Sequence, residues 1–124
     1  MTTHLVSTPT CVLGVGLIGG SLMRDLAAAD APTYGWNRSA NTADAAREEG
    51  FDVGTDLDSV LRRAQEDKAL LVIGVPMFAV GGLLDRINEL APDCGITDVV
   101  SVKAAVQDEI DARGMADRYV GAHP

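Results

Sequence analysis

Short apolar runs alternate with amphipathic helical stretches along almost all of this 124-residue chain. The alternation predicts an α/β fold: a doubly wound, mostly parallel sheet with helices on both faces. Ala69–Val75 adds to that reading, because an unbroken apolar run is the pattern of a central parallel strand covered on both sides. So does the stretch from Cys11 to Ser21, where an apolar strand feeds Gly14-Val15-Gly16-Leu17-Ile18-Gly19-Gly20 and then a helix.

Met1–Pro9 is polar and is expected to be a flexible tail, which leaves residues 10–124 as the domain. Thr10–Val15 reads as the first strand. Ile18–Ala29 reads as the first helix, with Ile18, Leu22 and Leu26 recurring on one face. Thr33–Trp36 is the second strand. Thr42–Glu49 is a helix closed by Gly50 just past its end. Phe51–Gly54 is a short third strand, and Asp56 stands where it can cap a helix over Leu57–Glu66. Pro76 breaks the chain after the fourth strand. Phe78–Leu90 follows as a helix although Gly81 and Gly82 each weaken it by about 1 kcal/mol. Gly95–Val100 is the fifth strand, Val102–Arg113 a helix stopped by Gly114, and Tyr119–Gly121 a final edge strand. The expected strand order is 3-2-1-4-5-6 with right-handed crossovers.

Composition excludes several classes. A net charge of −8 argues against a nucleic-acid or anionic-membrane partner, though backbone amides and a local cation can still hold phosphates. The N-terminus has no basic-then-apolar leader, and the longest apolar run is too short to span a bilayer, so a cytoplasmic location is expected. The two cysteines, Cys11 and Cys94, form no metal-ligand spacing with either histidine. They are expected to be reduced, and no metal site is expected.

The glycine spacing fits a dinucleotide-binding turn of the Rossmann type. Gly14 permits the turn off the strand, Gly16 lets a pyrophosphate approach the backbone, and Gly19 lets the helix pack on the strand. Leu17 and Ile18 open that helix, whose free N–H groups and positive dipole end face the phosphates. The loop that follows the fourth strand brings Val75 and Pro76 to the same edge.

The end of the second strand selects the cofactor. NAD-type sites carry a carboxylate there for the ribose hydroxyls, but this chain reads Trp36-Asn37-Arg38-Ser39. Arg38 offers a cation to a 2′-phosphate and Ser39 a further donor, with Asn37 uncharged at the carboxylate position. NADP is therefore expected over NAD. Ser101 and Lys103 follow the fifth strand, and Ser101 can cap the next helix. His123 sits at the last strand end, where an imidazole can take a hydroxyl proton.

Taken together, Gly14-Val15-Gly16-Leu17-Ile18-Gly19-Gly20-Ser21, Asp98-x-x-Ser101-x-Lys103 and Gly121-x-His123-Pro124 resemble the signatures of the prephenate/arogenate dehydrogenase family, in the same order. The resemblance spans nearly the whole chain. It implies oxidative decarboxylation of prephenate or arogenate by hydride transfer to NAD(P), within tyrosine biosynthesis. His123 would accept the ring-hydroxyl proton and Ser101 would hold the imidazole and hydroxyl in line. It also implies a helical second domain that dimerises and supplies substrate-binding arginines; this chain stops at Pro124, so the isolated domain is expected to be inactive.

Two other readings compete. One is a domain of an NADP-linked β-hydroxyacid-type dehydrogenase, which relies on a lysine from its helical part. The other is a nucleotide-sensing module without catalysis, which has no need of a serine and a histidine at the nicotinamide end.

Overall fold

The computed structural model describes residues 8–100 and 103–120. Residues 1–7 of the expected tail lie outside them. Along the central strand, Cys11 and Leu13 point into one apolar cluster and Val12 into another, and all three are fully buried. That strand, β1 (Thr10–Leu13), is followed by α1 (Leu17–Ala28), β2 (Thr33–Trp36), α2 (Ala40–Glu48), β3 (Val53–Gly54) and α3 (Leu57–Asp67). Then come β4 (Leu70–Ile73), α4 (Met77–Leu90), β5 (Ile96–Asp98) and α5 (Lys103–Ala112). The five strands form one parallel sheet in the order β3-β2-β1-β4-β5.

The two clusters are the two layers that a doubly wound sheet requires. On one face Cys11, Leu13, Leu71 and Ile73 pack with Leu61 of α3, Val80, Leu84 and Ile87 of α4, and Val106 and Ile110 of α5. On the other face Val12 packs with Met23 of α1, Ala43 and Ala46 of α2, and Val53. The sheet is therefore shielded on both sides, and its carboxyl edge is where loops stay open.

Observed strands are shorter than the apolar runs suggest, each for a local reason. β1 ends at Leu13 because Gly14 turns the chain with φ +102. β5 ends at Asp98, whose carboxylate takes the Val100 N–H at 3.0 Å. α2 starts at Ala40, two residues earlier than expected, because Ser39 is its N-cap and accepts from the Thr42 N–H at 3.4 Å. Asp56 occupies the N-cap of α3, but its side chain makes no capping bond. Gly50 (φ +96) and Gly114 (φ +66) close α2 and α5 as expected.

Gly81 and Gly82 do not interrupt α4. A Cβ on Gly81 would stand 2.9 Å from Arg113 Nη2. The missing side chain makes room for a guanidinium that reaches Asp85 at 2.8 Å and Glu109 at 2.5 Å. Burial of Val80, Leu83, Leu84 and Ile87 outweighs the weak local propensity.

The expected sixth strand is reduced, among the described residues, to one parallel bridge between Tyr119 and Ile96. It follows a 3-10 turn at Ala116–Arg118. Gly121, the expected end of that strand, lies outside the described residues. Arg118 fastens the turn by donating to the Ala91 carbonyl at 2.8 Å and the Cys94 carbonyl at 3.1 Å.

Candidate functional site

A cleft of about 790 Å³ opens at the carboxyl edge of the sheet. Gly14, Gly16 and Gly19 line it from the turn after β1, and Trp36, Asn37, Arg38 and Ser39 from the end of β2. Val75 and Pro76 contribute from the loop after β4, and Val99 and Val100 from the segment after β5. Three of the loops expected at one edge thus meet there. The side chains of Leu17 and Ile18, and Ser101 and His123 entirely, lie outside the described residues.

Each glycine of the turn does something different. A Cβ on Gly14 would come within 2.8 Å of the Gly74 carbonyl carbon, and φ there is +102. A Cβ on Gly19 would overlap the Gly14 carbonyl oxygen and stand 3.2 Å from Val12 Cγ1, so α1 lies directly on the turn. Gly16 has nothing within 4 Å of where its Cβ would be. It faces open space at the N-cap of α1, with no side-chain cap in front of the helix. A helix start, whose first N–H groups have no intrahelical partner, and the open volume before it form a cradle that suits a pyrophosphate.

The end of β2 is arranged differently from the sequence expectation in one respect. Asn37 Oδ1 accepts the Val15 N–H at 2.9 Å, so this side chain braces the glycine turn. The Trp36 indole N–H donates to the Thr55 carbonyl at 3.0 Å, which anchors the same strand end from the other side. Arg38 is exposed and makes no hydrogen bond or ion pair with any described residue. Ser39 spends its acceptor on the α2 cap and keeps its O–H for another partner. An unengaged guanidinium and a hydroxyl donor at the rim fit a phosphate on the adenine ribose.

Several contributors are invisible in the sequence. Gly74 and Gly14 need each other's missing side chains, since a Cβ on Gly74 would be 2.9 Å from the Gly14 oxygen. Gly35 in β2 is equally constrained, 2.7 Å from the Val12 carbonyl oxygen. Phe78 stands at the cleft 85% exposed, an unusual setting for a phenyl ring. The glycine at the end of the apolar run Leu70–Ile73 is the one signal that could have pointed to the Gly14–Gly74 approach.

Beside the cleft, Asp98 is completely buried. Its Oδ2 takes the Val100 N–H at 3.0 Å and its Oδ1 the Tyr119 hydroxyl at 2.5 Å. Burial, with that carboxylate alongside, pushes the Tyr119 hydroxyl far above the usual tyrosine range, so it stays protonated and donates. Cys11 and Cys94 are free and buried, and burial pushes the Cys11 thiol up to about 12. A thiol held neutral in this way is no nucleophile. Among the described residues no cluster could hold a metal ion, and no helix is long and apolar enough to cross a membrane.

The model of the prephenate dehydrogenase nucleotide-binding domain matches residues 22–124. A Corynebacterium glutamicum protein provisionally identified as a prephenate dehydrogenase is 55% identical over 96% of this chain, with a TM-score of 0.91. The chain spans 37% of that protein's length. Prephenate dehydrogenase from A. aeolicus, solved with hydroxyphenyl propionate and NAD+, shares the fold at 23% identity and a TM-score of 0.77, covering 94% of this chain and 41% of that one. The TrkA-N domain of the Escherichia coli inner membrane protein ybaL shares it at 20% identity and 0.68, covering 94% and 88%. A comparison with curated proteins returned no match. With a family match over most of its length and a relative at 55% identity, this chain belongs to the prephenate dehydrogenase family as its nucleotide-binding domain.

Proposed function

We propose that this chain is the cofactor-binding part of an enzyme that oxidatively decarboxylates prephenate or arogenate, with NADP preferred over NAD. The observation that carries the cofactor half is Gly16 facing open space at the start of α1, with the unengaged Arg38 lining the same cleft. The substrate half is supported by the relative at 55% identity and by Ser101 and His123 in the family's signatures.

In this reading the backbone of Gly14, Gly16 and Gly19, with the N–H groups of Leu17 and Ile18, holds the pyrophosphate. Val75 and Pro76 wall the cleft, and Asn37 fixes the turn. Arg38 and Ser39 hold the 2′-phosphate. A nicotinamide cofactor held there would supply the hydride acceptor. His123 takes the ring-hydroxyl proton while Ser101 keeps the imidazole and the hydroxyl aligned. The carbinol C–H bond breaks with its electron pair leaving as hydride, and a C=O bond forms from the O–H pair. The bond to the ring carboxylate then breaks and carbon dioxide leaves; its electron pair enters the ring, the carbonyl pair returns to oxygen, and that oxygen takes back a proton, from His123 in this reading, as the ring becomes aromatic. The substrate is a small molecule, and a homodimer would form through the helical domain of the full-length protein.

The test is turnover of prephenate and of arogenate by the full-length protein, followed as reduced cofactor at its near-ultraviolet absorbance. Reduction of NADP with either substrate supports the reading. No turnover of either with either cofactor refutes it.

A further inference from the structure

We infer that Asp98 and Tyr119 are positioning residues, a link from a buried carboxylate to a part-buried tyrosine that sets the separation of the two chain segments leading into Ser101 and His123. The inference rests on the roles proposed above for those two residues.

Asp98 is fully buried at the end of β5, where a carboxylate is costly to keep unless its oxygens are bonded. One oxygen holds the Val100 N–H, in the residue directly before Ser101. The other holds the Tyr119 hydroxyl, four positions before His123. One side chain thus grips both segments. The Tyr119 side is independently rigid: Arg118 donates to the Ala91 and Cys94 carbonyls, and the Val120 N–H donates to the Ile96 carbonyl at 2.9 Å. A segment fastened on three sides can transmit a fixed distance. A turn cap would need only the Val100 bond. The second bond, to a tyrosine 21 positions away, goes beyond what ending β5 requires. Proton transfer to a base needs heavy atoms about 2.6–3.2 Å apart, so a device that holds such a spacing has a use here.

Tyr119→Phe removes one hydroxyl and leaves the ring packing and the main-chain bridge to Ile96 in place. It should therefore fold. In this 124-residue chain, nuclear magnetic resonance should show the Ser101 amide and the His123 imidazole both shifted by the substitution. Changes confined to the immediate neighbours of residue 119, with Ser101 and His123 unmoved, overturn the inference. In the full-length protein, Tyr119→Phe should lower kcat on the order of tenfold with KM for the cofactor changed by less than about twofold. Asp98→Asn, which keeps an acceptor for Val100, should retain more activity than Asp98→Ala. An unchanged kcat in Tyr119→Phe overturns the inference. If the wild-type protein turns over neither substrate, the functional reading is what has failed, and the resonance shifts alone decide the positioning role.

Discussion

The side-chain carbonyl of Asn37 accepts the backbone N–H of Val15 at 2.9 Å, joining the end of the second strand to the glycine turn that follows the first. Asn37 thus does two things. It supplies an acceptor for the Val15 N–H just past the end of β1, and in the proposed reading it leaves the ribose position uncharged. Asn37→Leu should leave that N–H unsatisfied and destabilise the domain by about 1–3 kcal/mol. Asn37→Asp keeps an acceptor and adds a negative charge, so it should fold normally and weaken NADP relative to NAD. Urea melts and calorimetric titrations of the two variants check this. A stable Asn37→Leu variant would show that the bond matters little.

Gly14 and Gly16 should respond in opposite ways to added side chains. Gly14→Ala places a methyl group against Gly74 at a positive φ, a backbone cost alone of about 1–3 kcal/mol. The Cβ of Gly16→Val meets nothing within 4 Å and the variant should fold, but in the proposed reading its side chain fills the phosphate approach. Its Kd for NADP should rise about tenfold or more, equivalent to ~1.4 kcal/mol. Thermal melts and isothermal titrations separate the two effects. A Gly16→Val domain that binds NADP normally would remove the turn from the phosphate site.

Arg38 is the cofactor discriminator in this reading. A hydrogen bond to a charged group is worth roughly 1.5–3 kcal/mol, and exposure places Arg38 at the low end, about tenfold in affinity. Arg38→Ala should weaken NADP by that factor and leave NAD nearly unchanged. Equal losses for both cofactors, or wild-type binding of NAD as tight as NADP, would overturn the assignment.

For the chemical step, His123→Asn in the full-length protein should lower kcat by about 10²–10⁴-fold with little change in cofactor Kd. Stopped-flow reduction and a separate binding titration measure the two quantities. A kcat equal to wild type would take His123 out of the reaction. Residues 1–124 alone should bind NADP and reduce it with neither substrate. Robust turnover by this piece would contradict a two-domain site.

The alternation of strands and helices was legible because β1 and β4 are buried on both faces and so carry continuous apolar runs. The close packing of Gly14 and Gly19 was legible because it depends only on a missing Cβ. The bracing by Asn37 was not, since its partner lies 22 positions away and an amide side chain carries no local sign of what it will accept from. Gly74 sits at the end of an apolar run and looks like one more strand residue. Its role appears only when β1 and β4 are side by side. Asp98 stood in the sequence as one letter of a motif. Its distant partner Tyr119 pairs with β5 through a single bridge too short to register as a strand. Ser101 and His123 lie outside the described residues, so their placement rests on the sequence.

The mutual fit of Gly14 and Gly74, with the Gly14 N–H donating to the Trp36 carbonyl and the Gly74 N–H to the Leu13 carbonyl, makes the cleft floor a seam between three strands distant in sequence. The floor is assembled only when the three strands are paired, so nucleotide capture and folding should be linked equilibria. Saturating dinucleotide should then act as a folding chaperone for the whole sheet, raising its stability by about 2.7 kcal/mol at a hundred times Kd. The protection should extend to amides in β4 and β5 that never meet the ligand.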